Sequence, residues 1–370
     1  MDTSGLGIAG WGAAGRLMAD AVTRASRFRL AGVADVDPAA REHAGSETGC
    51  RTYEEVASLA AAEDVDVVYI ATPTFTHGPA IREVAAHGKH VISEKPLATT
   101  LAEAQKALEA AERAGVNVLV GATHSYNAPV RVLRRIVEDA RLGPLLSVCT
   151  TCHTDWHRRP RSASDLDAAQ GNGLVLRQGA HQIDILRYLC GGLTKSVAGT
   201  TFGGSDGTEL GFTAQLAFPG GVHASAYYSG TGGFDSRVQT WGVGELGTFD
   251  VAPTPTLSRH FVLPGQRSVS PVFGTLVATF AAGGAWVTPS GVLVFAGGEV
   301  TEIGVEGEPS GWDALLDETA DALDGHQTVH TGRWGMATLE VGLALHESAR
   351  TGLRVDLHHQ IGTALLRTQA

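Results

Sequence analysis

The chain has 370 residues, 43% hydrophobic and 18% charged, and a formal net charge of −11. That composition belongs to a globular protein with room for two domains and excludes a disordered or fibrous chain. The negative balance argues against non-specific binding to nucleic acid or to an anionic membrane, and no stretch of about 18 uncharged apolar residues offers a spanning helix.

The opening segment, MDTSGLGIAGWGAAGRLM, carries an acid at Asp2 and no basic stretch ahead of an apolar core, so nothing in it directs export. The four cysteines form no dense framework and fit a reducing compartment, so a cytoplasmic location is expected. Residues 5–24 read as a short apolar run, a glycine-rich turn and a helix with Leu17, Met18, Ala21 and Val22 apolar. The turn spells G-x-G-x-x-G at Gly10, Gly12 and Gly15. The first glycine permits the tight turn, the second lets backbone approach a pyrophosphate, and the third lets helix pack on strand. The helix start at Ala13 and Ala14 offers N–H groups and positive dipole to the phosphates. A second strand, FRLAGVA, ends at Asp35, 20 residues past Gly15 (35 − 15). A carboxylate there accepts hydrogen bonds from a ribose and repels a 2′-phosphate, which favours NAD over NADP. Arg41 lies close enough in sequence to work the other way.

Strand and helix then alternate. VDVVYIA (65–71) is a buried strand, GPAIREVAAHG (78–88) a helix, KHVIS (89–93) a strand, TLAEAQKALEAAERAG (100–115) a helix and VNVLVG (116–121) a strand. Such alternation predicts a doubly wound parallel sheet with ligands at the carboxyl ends of its strands. Two of those ends are chemically loaded, ATPTFTH (71–77) and SEKP (93–96).

G-x-G-x-x-G, then A-T-P with a histidine after it, then E-K-P together resemble the glucose–fructose oxidoreductase, inositol dehydrogenase and MocA (Gfo/Idh/MocA) family. The resemblance extends over nearly the whole chain. It implies an N-terminal Rossmann domain, 1–123, and a C-terminal α+β domain with a largely antiparallel open sheet, 124–370, for substrate binding and homo-oligomer formation. It further implies NAD as cofactor, with Thr72, Pro73, His77, Glu94 and Pro96 around it and Lys95 beside both the nicotinamide and the substrate hydroxyl. His124 and Tyr126 are implied substrate contacts.

A helix at about 128–140 leads into a strand-rich region running to roughly residue 300, with alternation in ELGFTAQLAF, GVHASAYYSG and RVQTWGVGELGTFDV. Helices at 311–325 and 332–352 follow. CTTCH (149–153) matches the C-x-x-C-H string of a c-type haem, but it continues LLSV as a strand. Period-2 geometry then sends Cys149 and Cys152 to opposite faces, which no haem attachment allows. His153, Asp155 and His157 alternate along the same strand, yet no further ligand has clear spacing and no metal is expected.

RQGAHQIDILRYLCGG (177–192) reads as an amphipathic helix in which His181 and Asp184 share a face. The family has D-x-G-x-H-x-x-D here, with the histidine as general base, a role that suits an imidazole. Arg177 stands where the first aspartate belongs. With Arg158, Arg159 and Arg161 on the preceding loop it could bind a carboxylate, the branch resembled being that of phthalate cis-4,5-dihydrodiol dehydrogenase. The expected activity is hydride transfer between a secondary alcohol carbon of a small polyhydroxylated substrate and NAD, with Lys95, His181 and Asp184 catalytic and Arg159, Arg161 and Arg177 holding a carboxylate. A sugar or inositol dehydrogenase acting on a neutral polyol is the alternative among enzymes. A non-catalytic NAD-binding regulator is the alternative of another class.

Overall fold

The structure is a computed structural model that describes residues 3–121, 124–159, 173–204, 208–245 and 269–363. The chain forms two compact units, Met1–Ala122 with Trp312–Leu339, and Thr123–Gly311 with Glu340–Ala370.

In the first unit six strands run β1 (Ser4–Ala9), β2 (Phe28–Ala34), β3 (Arg51–Tyr53), β4 (Val67–Ile70), β5 (His90–Glu94) and β6 (Val118–Gly121). Their spatial order is β3-β2-β1-β4-β5-β6, all pairs parallel, so the order reverses between β1 and β4. A doubly wound sheet binds ligands at that switch point. The connecting helices are α1 (Ala13–Arg24), α2 (Pro38–Thr48), α3 (Val56–Ala60), α4 (Thr74–Ala86) and α5 (Leu101–Ala114). Their ends follow local chemistry. Asp37 caps α2 through the Ala39 N–H with Pro38 at the first position, and Thr100 caps α5 by accepting from the Glu103 N–H at 3.2 Å.

The sequence predicts α4 from residue 78, beside Pro79. The helix instead begins at Thr74, because Thr76 Oγ1 and Thr76 N both donate to the Pro73 carbonyl and build its first turn. His77 is therefore a helical residue. The pattern also passed over α2, β3 and α3, elements that present few buried residues.

The helix α8 (Trp312–Leu323) belongs to the first unit, not to a continuous second domain from 124 onward. It packs on α1, with Arg24 Nη2 3.0 Å from Asp313 and Arg27 Nη2 2.9 Å from Asp324, while Trp312 meets the Tyr69 ring edge-on. Thr331 then bridges antiparallel to Leu119 at the β6 edge. Glu318 on α8 holds this return: its carboxylate accepts from the N–H groups of Val329 and His330 at 2.7 and 2.8 Å and pairs with His330 Nδ1 at 2.8 Å.

The second unit is a nine-stranded sheet in the order β14-β13-β12-β11-β7-β10-β9-β8-β15. Its strands are β7 (Leu145–His153), β8 (Ser196–Gly203), β9 (Glu209–Ala217), β10 (His223–Ser229), β11 (Thr275–Phe280), β12 (Gly283–Thr288), β13 (Gly291–Ala296), β14 (Glu299–Gly304) and β15 (Val355–Asp356). Among the described strands of this sheet, only β7 and β10 pair in parallel. Helices α6 (Ala128–Asp139) and α7 (Ala180–Leu189) cover one face, and α9 (Gly332–Thr351) runs from the first unit into the second. In β7 the side chains alternate as expected, Cys149 exposed and Cys152 buried. The segment 237–245, expected as a strand, is instead a 3-10 turn followed by further turns; the rest of that stretch lies outside the described residues. His153 ends β7, Asp155 precedes a 3-10 turn and His157 lies in it, so the three do not continue along one strand.

Glu318→Ala leaves buried N–H groups and His330 without their carboxylate acceptor. It should destabilise the first unit by about 3 kcal/mol, and Glu318→Gln by less. Urea denaturation followed by tryptophan fluorescence checks the pair; equal stability of Glu318→Ala and wild type would show that the return is held by apolar packing alone.

Candidate active site

In the first unit the candidate site residues gather at the carboxyl edge of the parallel sheet. Gly10 has φ 100°, which a side chain resists, and a Cβ there would stand 2.7 Å from the Ala71 carbonyl oxygen. At Gly15 a Cβ would stand 2.0 Å from the Gly10 carbonyl oxygen, so α1 lies directly on the turn that precedes it. Gly12 differs from both. A Cβ there would meet no atom within 4 Å. That open space adjoins the N-terminus of α1, where Gly12 is the cap and no side chain caps the N–H groups of Ala13, Ala14 and Gly15. Space and donors together fit a pyrophosphate.

Asp35 does more than wait at the end of β2. Its Oδ2 accepts from the Trp11 N–H at 2.7 Å and its Oδ1 from the Asp37 N–H at 2.9 Å, so it ties the glycine turn to the strand end. A carboxylate has about four acceptor positions, and two remain for ribose hydroxyls. Arg41 turns its Nη1 onto the carbonyls of Asp35 and Val36, at 2.8 and 3.1 Å.

His77 joins the two loaded strand ends. Its Nε2 lies 2.8 Å from the Thr72 carbonyl and its Nδ1 2.8 Å from the Pro96 carbonyl, in a fully buried position. The residue thus braces the loops that carry Thr72, Pro73 and Lys95. Glu94 accepts from the Tyr69 hydroxyl at 2.7 Å and from the Lys95 N–H at 3.2 Å, which orients the chain at Lys95. Burial, together with the Glu94 charge, pushes the Tyr69 phenol well above its ordinary value, so it remains a donor. The Lys95–Pro96 peptide is cis.

The second unit carries its own group of candidate site residues. Residues Val175–Gly179 form a π-helical turn that runs straight into α7. This wider turn carries Arg177 and Gln178, and such turns recur at functional sites. The sequence offers no signal for it beyond Gly179, which sits where a Cβ would be 2.9 Å from the Phe212 ring. Glu209 supports the turn: it accepts from the Val175 N–H at 3.2 Å and pairs with His346. Burial alone would raise the Glu209 carboxyl, but His346 and the N–H groups of Val175 and Leu174 outweigh it and hold it below its ordinary value.

His181, Asp184 and Arg187 follow at spacings of three on α7 and are 6%, 1% and 0% exposed. The His181 ring meets His124 edge-on at 4.4 Å between centroids and Phe273 at 5.1 Å, and His124 stacks on Phe273 at 4.5 Å. Asn127 Nδ2 donates to His124 Nδ1 at 3.2 Å, so the neutral His124 ring carries its proton on Nε2. Tyr126 is buried beside them, its carbonyl accepting from the Gly311 N–H. Sequence reasoning missed Phe273, and no local pattern marks it. Asn127, three residues from His124, was within reach of the spacing rule.

A cavity of about 220 Å³ adjoins Phe273 and is lined by Cys152, Asp155, Arg159, Asp235, Arg237 and Glu245. The expected role of Arg159 as a carboxylate anchor does not match its surroundings. Its Nε lies 2.7 Å from Asp155 and its Nη1 2.7 Å from Glu245. Burial opposes its charge, yet these two carboxylates raise its pKa above the ordinary value. A guanidinium held by two acids has little charge left for a third. Arg161 lies outside the described residues, and Arg177 is half-buried in the π-helical turn. Burial, aided by Glu245 and Asp235, pushes the Cys152 thiol well up, so it is an inert lining group.

Residues 5–122 match the family described as the oxidoreductase family, NAD-binding Rossmann fold, and residues 130–250 match the GFO/IDH/MocA C-terminal domain. The chain belongs to the Gfo/Idh/MocA oxidoreductase family. It is an NAD-binding enzyme of the dehydrogenase type, which removes the regulator reading. It is 30% identical to 1-carboxy-3-chloro-3,4-dihydroxycyclohexa-1,5-diene dehydrogenase of Comamonas testosteroni, over 94% of this chain and 95% of that one. It is 30% identical to inositol 2-dehydrogenase of Rhizobium meliloti over 52% of this chain and 57% of the relative. Among solved structures, a Bordetella bronchiseptica RB50 protein matches with a TM-score of 0.89 and 31% identity, covering 96% of this chain and all of the other.

Gly12→Ala and Gly15→Ala should separate binding from folding. Gly12→Ala fills only the open space, so NADH affinity by fluorescence titration should fall at least about tenfold with the melting temperature unchanged. Gly15→Ala collides with the turn and should lower the melting temperature. A Gly12→Ala variant that binds NADH as wild type does would move the pyrophosphate elsewhere.

Proposed function

We propose that the enzyme oxidises a secondary alcohol carbon of a small, carboxylated, cis-dihydrodiol-like substrate, using NAD in preference to NADP. The observation that carries this reading is the placement of His181 and Asp184 on a buried helix face directly after the turn bearing Arg177. The Comamonas testosteroni relative, named for a carboxylated dihydroxy ring, supports the substrate class.

NAD, when bound, accepts the hydride at nicotinamide C4. An imidazole nitrogen of His181 takes the hydroxyl proton, and the Lys95 ammonium donates to the substrate oxygen as negative charge develops on it. Asp184 orients His181. Arg177 pairs with the substrate carboxylate, a task that passes to it because Arg159 is held by Asp155 and Glu245. Asp35 holds the ribose hydroxyls and disfavours a 2′-phosphate.

The second reading, a neutral polyol, is supported by that same pairing. A cavity whose arginines are matched by Asp155, Glu245 and Asp235 suits hydroxyls, which need donors and acceptors in alternation. The enzyme works as a homo-oligomer through the uncovered face of the nine-stranded sheet, where Val277 and Phe295 are 42% and 40% exposed. A cytoplasmic setting agrees with four free cysteines.

Lys95→Ala and His181→Ala should each lower kcat by roughly 10²–10⁴-fold while NADH binding stays within about twofold. If His181→Ala keeps more than about a third of wild-type turnover, another group is the base. Arg177→Ala should reduce kcat/KM for the acid at least ~30-fold, the loss expected from truncating one side of a buried charge pair, and reduce that for its methyl ester little. Equal losses on acid and ester, with neutral polyols the better substrates, would establish the polyol reading instead.

A further inference from the structure

The guanidinium of Arg187 is fully buried on the helix that carries His181 and Asp184, and nothing in the reaction as described uses it. Its Nε donates to Gln360 Oε1 at 3.0 Å and its Nη2 to the Gly192 carbonyl at 3.3 Å. Gln360 Nε2 donates in turn to Glu340 Oε2 at 2.7 Å, and Glu340 also accepts from the N–H groups of His358 and His359, at 2.7 and 2.9 Å. A line of polar groups thus runs from α7 through Arg187 and Gln360 to Glu340 on α9 and the segment after β15. Asp184 stands one helical turn before Arg187, and its charge and that of Glu340 both act on the guanidinium.

Burial makes an isolated charge costly on either side. Arg187 places a buried cation one helical turn from the buried Asp184, and Gln360, itself held by Glu340, fixes that cation from outside the helix. Burial pushes Arg187 down only to about 10, so it stays charged at neutral pH. Among the titratable groups on elements packed against α7, the buried ones are Arg134 on α6, Tyr228 on β10 and Cys152 on β7, with Arg177 half-buried on the π-helical turn and the exposed Glu138 on α6 paired with Arg134. Arg134 is directed elsewhere, to the carbonyls of Tyr188 and Leu189 and to Thr363 Oγ1.

We propose that Arg187 is a positioning residue for the reaction, whose charge, held through Gln360 by Glu340, sets the local field at Asp184 and His181 on the same helix. This rests on the dehydrogenase reading above. It assigns no contact between Arg187 and substrate or cofactor. It predicts that the pH dependence of turnover, and not merely stability, passes through Arg187.

The test is the pH profile of kcat/KM for Arg187→Met, Arg187→Lys and wild type, with NADH affinity and thermal melting measured on the same proteins. A buried carboxylate that loses its counter-charge takes up a proton more readily, and a base that loses a neighbouring positive charge does the same. Both effects move the low-pH limb in one direction. In Arg187→Met the limb should shift upward by about half a pH unit or more, with kcat down at least about tenfold and NADH affinity within about twofold. Arg187→Lys, which keeps the charge, should return the limb to within about 0.2 unit of wild type. If Arg187→Met does not fold, Gln360→Met, which removes one acceptor from the guanidinium, should shift the limb the same way by a smaller amount. A folded variant whose profile is scaled down without displacement would overturn the proposal and leave Arg187 a packing residue. A wild-type enzyme that oxidises no alcohol would instead overturn the dehydrogenase reading, and with it any part for Arg187 in turnover.

Discussion

Helix α7 presents its chemistry on a buried face, and this placement constrains much of the second unit. A helix with His181, Asp184 and Arg187 on one stripe cannot sit in an apolar core unless each polar group finds a partner inside the protein. The surroundings meet that demand from several directions. Arg187 meets Gln360 and the Gly192 carbonyl, and Arg134 takes the carbonyls that end the helix. Gln182 on the same helix donates to Thr150 Oγ1 and the Tyr227 carbonyl. At the other end the π-helical turn receives Glu209. The segment after β15 contributes Gln360 and Thr363 to this shell and so belongs structurally with α7.

On the cofactor side the governing factor is backbone, not charge. The three glycines of the turn have three different reasons to be glycine: a positive φ at Gly10, open space at Gly12, and contact with the turn at Gly15. Asp35 and His77 then lock the loops that those glycines shape. Asp35 binds the turn through the Trp11 N–H while retaining acceptor capacity, so the carboxylate that builds the turn still has positions to offer a hydroxyl. His77 uses both ring nitrogens on carbonyls of neighbouring loops, which explains a histidine in this position without assigning it any contact with the cofactor.

Most of the parallel sheet was legible because its elements carry their own signals: buried runs for β4 and β6, a threonine cap and a glycine stop for α5; β3, with no buried residue, carries none. The placement of His181 and Asp184 together on a buried helix was legible because their spacing implies a shared face. The site was not legible where partners come together only through the tertiary fold. Phe273 lies 92 residues beyond His181 (273 − 181) yet meets both His124 and His181, and no local pattern announces that. Arg159 shows the converse. Three arginines around Pro160 read as a basic cluster, but Glu245, 86 residues away, meets one of them and cancels its charge. Likewise α8 reads as a helix anywhere, and only the Arg24, Arg27 and Tyr69 side chains that receive it decide which unit it joins.

That cancellation bears on how an acidic protein would handle an acidic ligand. A net charge of −11 opposes the approach of a carboxylate, so a local positive field has to be built where the ligand lands. Arg159 is a poor source of that field, because two carboxylates within 2.7 Å return its charge to the protein. Arg237 is similarly held by Asp235 at 2.9 Å. In the family pattern an aspartate occupies the position of Arg177, and exchanging acid for base there changes the local charge by two units at the entrance to the catalytic helix. The π-helical turn widens the backbone at that point and gives a long side chain a different path from the one a regular α-helix would impose. On the proposed reading, discrimination between an acid and a neutral diol is concentrated in one exchanged residue and the turn that presents it. The paired arginines of the neighbouring cavity supply directional hydrogen bonding without adding to the positive field.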